Sequence, residues 1–173
     1  MNGTRARIAV MVMVSGVACG CAGSGGGTGG GSEGGGAPTA GDGMTLSKSE
    51  MRERAIGILS ELAFDSEAEV RANSIEALQA VPTRVEPIVR ASLQDPNLGV
   101  RYTAAITVGQ LKLRGSTALV RPLLDDSSAL VRCAAIFALH RNGVKQDLTP
   151  IADMLNGREF ASASMAAFML GEL

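Results

Sequence analysis

Asp65-Ser-Glu-Ala-Glu-Val70-Arg71, Asp95-Pro-Asn-Leu-Gly-Val100-Arg101 and Asp126-Ser-Ser-Ala-Leu-Val131-Arg132 share one pattern, Asp-x-x-x-x-Val-Arg, with the valines 30 and then 31 residues apart. After each valine, small or apolar residues return at offsets 4, 7 and 8: Ser74, Ala77 and Leu78, then Ala104, Thr107 and Val108, then Ala135, Ala138 and Leu139. Offsets 0, 4, 7 and 8 lie on one stripe of an α-helix. Such a stripe recurring at a fixed period near thirty marks a repeat array, in which each unit buries its apolar face against the next. A fourth, weaker copy is expected from Asn156 through Ala161 to Met165, Phe168 and Met169, with Ala161-Ser162 in place of Val-Arg.

Local signals punctuate the array. Asp65 or Ser66, Asp95 before Pro96, and Asp126 or Ser127 read as N-caps of the Val-Arg helices, because short oxygen-bearing side chains accept from the free N–H groups of a first turn. Intervening helices are predicted from a capping box at Thr83 to Glu86, from Ser116, and from Thr149-Pro150. Breaks are read at Val81-Pro82, Arg114-Gly115, Asn142-Gly143 and Asn156-Gly157. A leading helix, about residues 47–63, opens on a capping box of Ser47 and Glu50. Its Met51-Arg52 stands only 19 residues before Val70, so it completes the first pair rather than forming a unit of its own. The expected fold is all-α, a solenoid of about four helix pairs over residues 46–173.

These residues resemble HEAT repeats, most nearly the short bacterial HEAT-like type also found in phycobilisome lyase subunits. The resemblance implies that Asp65, Asp95 and Asp126 pair with Arg71, Arg101 and Arg132 as a ladder between neighbouring units, which is scaffold rather than a ligand site. It also implies that the second helix of each pair lines a concave surface. There the outward offsets would present Tyr102, Ile106, Phe137 and His140 as candidate partner-binding residues. The last helix, ending Phe168-Met-Leu-Gly-Glu-Leu173, carries almost no charge, which predicts a homodimer contact, docking to a partner or a shortened array.

The first twenty residues have a different character. Arg5 and Arg7 precede an apolar run from Ile8 to Val14, the layout of a secretory signal peptide and too short to span a bilayer. Val17-Ala-Cys19-Gly-Cys21 resembles the lipobox of bacterial prolipoproteins, in which a cysteine after a small residue becomes the lipidated N-terminus. Cys21 is the favoured site, with Cys19 the alternative; the other reading is ordinary cleavage after a small residue, giving a free periplasmic or secreted protein. Residues 21–45 form a glycine-rich linker. So many glycines cannot bury enough apolar surface to offset the cost of ordering the backbone. No strand precedes the glycines and no Gly-Lys-Ser/Thr follows, which sets aside a phosphate-binding loop. The expectation is an exported protein held at the cell or outer membrane, facing the periplasm or exterior.

Composition excludes several chemistries. Net charge is −1, and removal of Arg5 and Arg7 with the leader changes it by −2 to −3, so no basic footprint for nucleic acid exists. There is one histidine, His140, which rules out a multi-histidine metal site and leaves a Ser-His-Asp triad no choice of base. Cys133 and His140, seven apart on one helix, sit about 10 Å apart along its axis, too far for a thiolate–imidazole pair. No cofactor is expected. The reading is a non-enzymatic scaffold that binds another protein. The alternative is an accessory subunit of a lyase or other enzyme, holding a prosthetic group or substrate on the concave face.

Overall fold

The computed structural model describes residues 46–173; the expected signal peptide, the lipidation candidates Cys19 and Cys21, and the whole of the glycine-rich linker lie outside the described residues. Among the described residues there are eight α-helices and no strand: α1 (Lys48–Leu62), α2 (Ala68–Leu78), α3 (Pro82–Ser92), α4 (Leu98–Leu111), α5 (Thr117–Val120), α6 (Ala129–Arg141), α7 (Thr149–Leu155) and α8 (Phe160–Gly171). Short 3₁₀ turns at Arg114–Ser116 and Arg121–Asp125 flank α5. The helices form four pairs, and the second members stack in order: α2 packs on α4, α4 on α6, and α6 on α8.

The capping box at Ser47 and Glu50 is formed, with Glu50 N–H donating to Ser47 Oγ at 3.3 Å and Ser47 N–H donating to Glu50 Oε2 at 2.7 Å. The one expected at Thr83 and Glu86 is not. Helix α3 starts two residues earlier than a Thr83 cap would place it, at Pro82, whose fixed φ and missing N–H suit a first helical position. Ser116 does not cap α5 either; it is buried in a 3₁₀ turn with its Oγ unpartnered. The first helix of the third pair is broken here, because Pro122 has no N–H to continue an α-helical ladder.

The three aspartates lie two residues before the positions that begin their helices. Glu67, Asn97 and Ser128 hold the N-cap places, and Pro96 falls outside the first turn of α4. Each aspartate instead closes a short turn, its Oδ1 accepting from the N–H two residues on, at 2.8 Å for Asp65 and Asp95 and 2.9 Å for Asp126. At the other ends, α4 stops on Lys112 in the left-handed region (φ 52°) and α6 on Gly143 (φ 88°). In both, an N–H reaches back five residues, Leu113 to Val108 and Val144 to Leu139.

The core is densest along α4 and α6. In α4 the run Ala104 to Gly109 is buried throughout, as is Cys133 to Leu139 in α6, because each of these helices has neighbours on several sides. A helix apolar all round belongs in such a place. Close approach depends on small residues. A Cβ on Gly109 would stand 2.5 Å from Cε1 of the buried Phe137 ring and 3.1 Å from the Cα of Ala138. Between α2 and α4, Gln79 Nε2 donates to the buried Thr107 Oγ1 at 2.9 Å.

Gly109→Ala is therefore expected to destabilise the fold by about 1–3 kcal/mol, an overpacking cost, despite the better helix propensity of alanine. Urea unfolding followed by circular dichroism measures it. A gain in stability would show that α4 and α6 are not in close contact at Phe137.

Candidate functional site

The ladder is a set of repeated three-donor cradles. Arg71 donates from Nε to Asp95 Oδ2 and from Nη2 to Asp95 Oδ1, both at 2.8 Å. Its Nη1 turns the other way, onto the carbonyls of Asp65 at 2.8 Å and Ser66 at 2.9 Å. Arg101 repeats this in the next unit, meeting Asp126 at 2.8 and 3.0 Å and the carbonyls of Asp95 and Pro96 at 2.8 and 3.0 Å. Each rung thus fastens one turn to the next, and the guanidinium fork matches the carboxylate in a bidentate way. The third donor to each carboxylate is the backbone N–H of Asn97 or Ser128.

Asp65 and Arg132 end the ladder. The Asp65 carboxylate accepts from Glu67 N–H and Ser66 Oγ and meets no arginine among the described residues. Arg132 keeps the inner half of its rung, Nη1 donating to the carbonyls of Asp126 at 2.8 Å and Ser127 at 3.1 Å. Its Nε and Nη2 meet no acceptor among the described residues. The cause is visible in the fourth unit, whose register differs by one residue from that expected on the sequence. Asp65, Asp95 and Asp126 donate their N–H to the carbonyl three residues back, at 3.1–3.2 Å, and Gly157 does the same at 3.2 Å. Each is followed three residues later by the first residue of the second helix, Phe160 in this case. Gly157, not Asn156, stands in the aspartate place, and Ser162-Ala163 replaces Val-Arg. Burial agrees: Ala166 and Met169, four and seven beyond Ser162, are fully buried.

A cleft of about 340 Å³ opens beside Arg132, with Gly157, Met154, Arg158 and Ser162 among its walls. Cys133 also borders it; its thiol is directed to the Pro150 carbonyl at 3.5 Å, and burial pushes its pKa up against the opposing charge of Arg132. Among the described residues no group of three His, Cys, Asp or Glu side chains is placed to hold a metal ion.

The partner face expected from Tyr102, Ile106, Phe137 and His140 does not form as one surface. Phe137 is fully buried, its ring centroid 6.4 Å from that of Phe168, and Ile106 is buried as well. Both are held inside because α4 and α6 are covered on the side that would face outward if the second helices lined an open surface. Tyr102 and His140 are half-buried. Burial, with the charge of Glu76 added, pushes the Tyr102 phenol up to about 12. His140 Nδ1 is buried without a hydrogen-bond partner. On α8, Phe168 is half-buried against α6, so the apolar last helix is less bare than its composition implies; Phe160 at its start is 87% exposed.

Burial works against ionisation of Asp95 but is outweighed by the hydrogen bonds from Arg71 and Asn97 and by the charges of Arg71 and Arg101, so its pKa falls. For Asp126 the Arg101 hydrogen bond is the main cause of a lowered pKa. A carboxylate depressed in the folded state contributes stability that is complete above its unfolded pKa, about 4, and is lost as pH falls through the lower folded value. Arg101→Met is expected to cost about 1.5–2 kcal/mol at neutral pH, the scale of a hydrogen bond to a charged group. The difference from the parent should shrink below about pH 4. Urea unfolding at pH 7 and pH 3 tests this; an equal loss at both would show that the rung acts through packing alone.

Comparison with known protein families agrees with this geometry. The HEAT repeats family matches residues 56–140 and, overlapping, 85–171. No curated protein matches the chain. With a regular ladder, four helix pairs and a family match over most of its length, the chain belongs to the HEAT-repeat proteins.

Proposed function

We propose that this protein is a non-catalytic scaffold that holds another protein at the bacterial cell envelope, tethered by a lipid on Cys21 or Cys19 through a glycine-rich linker. HEAT repeats are in general interaction scaffolds, and stacked pairs locked by bidentate rungs give the stiff, pre-organised surface that such a role needs. The observation that carries the reading is the position of large exposed apolar side chains. Phe64 is 63% exposed, Leu98 50% and Phe160 87%. Phe64 precedes Asp65, Leu98 follows Asp95 by three residues, and Phe160 follows Gly157 by three, so all three lie beside the ladder positions. Leu98 and Phe160 share one register and Phe64 stands at another, and large apolar side chains exposed along a rigid edge are suited to partner contact. The envelope part of the reading is supported by the Arg5/Arg7 n-region, the apolar run and the small-residue–cysteine junction.

Two measurements test this. In bacterial cells, fatty-acid labelling of the full chain should mark the protein and place it in the membrane fraction, and Cys21→Ser should lose the label or shift it to Cys19. Label-free, soluble protein from the unaltered chain would overturn the tether. Photo-crosslinking residues placed at positions 64, 98 and 160 should give one discrete adduct absent from a control at exposed Ala80. Identical patterns at all four positions would remove the ladder edge as the partner surface.

A further inference from the structure

The fourth rung of the ladder has its arginine and lacks its acid. In the filled rungs, a carboxylate accepts from Arg Nε, from Arg Nη2, and from the N–H two residues beyond the aspartate. At the fourth, Arg132 is held in the same pose by the carbonyls of Asp126 and Ser127, as Arg71 and Arg101 are by their own pairs. Its Nε–Nη2 edge meets no acceptor among the described residues, and neither does the N–H of Glu159, the counterpart of Asn97 and Ser128. All three donors of the cradle are thus present, and Gly157 supplies no side chain to satisfy them.

From this we infer that the cleft beside Arg132 is a binding site for a carboxylate that comes from outside the repeat array. The two filled rungs show what the cradle accepts, a planar anion meeting the guanidinium fork edge-on. An ammonium or a neutral amide lacks the two acceptor oxygens, and a hydroxyl offers only one. The space is adequate: about 340 Å³, against the single carboxymethyl group that the other rungs hold. Net charge is not the selecting feature, since Arg132 and Arg158 are balanced by Asp153 and Glu159 in the same walls. Glu159 is committed elsewhere, its Oε2 accepting from Ser162 Oγ at 2.7 Å. Selection therefore rests on the directed fork. The inference stands apart from the membrane tether and from the apolar partner edge, either of which can fail without affecting it. The carboxylate can belong to an acidic side chain of a protein segment or to a small free acid, and the chemistry at Arg132 is the same.

The test uses the full chain and two probes. One is a capped peptide with the sequence of residues 92–98, Ser-Leu-Gln-Asp-Pro-Asn-Leu, the segment that fills the Arg71 rung. The other is acetate. Binding is read from the Arg132 Nε–Hε resonance, assigned by its loss in Arg132→Gln. The aspartate peptide should shift this resonance saturably. The same peptide with asparagine in place of aspartate should bind at least about tenfold more weakly, because it loses a charge-assisted bidentate contact. Peptide binding tighter than acetate assigns the site to an acidic side chain; equal binding assigns it to a small acid.

Gly157→Asp should build the missing acid into the chain, raise the unfolding midpoint by a few degrees and abolish binding of both probes. The added side chain is tolerable because the three equivalent places already carry aspartate with the same backbone hydrogen bond, although its Cβ would stand 3.1 Å from the Met154 carbonyl oxygen. The inference is overturned if neither probe moves the Arg132 resonance, or if the aspartate and asparagine peptides bind alike. Undiminished peptide binding by a folded Arg132→Gln variant, followed by fluorescence of a labelled peptide, would also overturn it.

Discussion

One contact organises this molecule: an arginine near the start of a second helix that grips the carboxylate of the next unit with one edge and its own preceding turn with the other. A planar fork with five fixed donors can do both at once, which a lysine could not. The grip is partly sheltered, with Arg101 and Asp126 side chains 15% and 7% exposed, so it is more than a loose surface pair. Because each rung links the turn before one second helix to the turn before the next, it fixes rotation as well as distance between units. Stacking of α2, α4 and α6 then brings Gly109 under Phe137 and leaves no freedom for a larger residue there.

The same regularity makes departures from it informative. Asp65 and Arg132 each retain half of a rung. At Asp65 the carboxylate is still engaged by Glu67 and Ser66, a local arrangement that any aspartate turn can provide. At Arg132 the unsatisfied half is a set of directed donors facing a cleft, produced by a glycine where the other units have aspartate. A repeat protein can acquire a ligand site in this way with a single substitution, since the scaffold has already placed the remaining donors.

The second helices illustrate why surface assignment within a solenoid is harder than fold assignment. In an isolated helix, offsets 2, 6 and 9 from the valine point away from the stripe at 0, 4, 7 and 8. In α4 and α6 those positions are also covered, since each has a helix before it, a helix after it, and its own partner. Ile106 and Phe137 are core residues for that reason, while Tyr102 and His140, nearer the ends of their helices, are half-covered. Among the large exposed apolar residues, Phe64, Leu98 and Phe160 lie instead on the turns and helix starts beside the ladder.

The all-α array and its four pairs were legible in the amino-acid order, because periodicity and a motif repeated three times depend only on spacing along the chain, whereas the Arg–Asp partnership was implied by the resemblance to HEAT repeats. The capping box at Ser47 was legible for the same local reason, whereas Thr83 and Ser116 carried the right residue types in turns that Pro82 and Pro122 reshaped. The register of the fourth unit was not legible. Asn156 and Gly157 are equally plausible where no Val-Arg follows, and the choice is made by which N–H reaches back to Met154 and which face of α8 meets α6. That one-residue difference separates an asparagine from a glycine in the acid's place, and so determines whether Arg132 has a side chain to hold. Spacing specifies the repeat; only packing in three dimensions decides which residue stands opposite which.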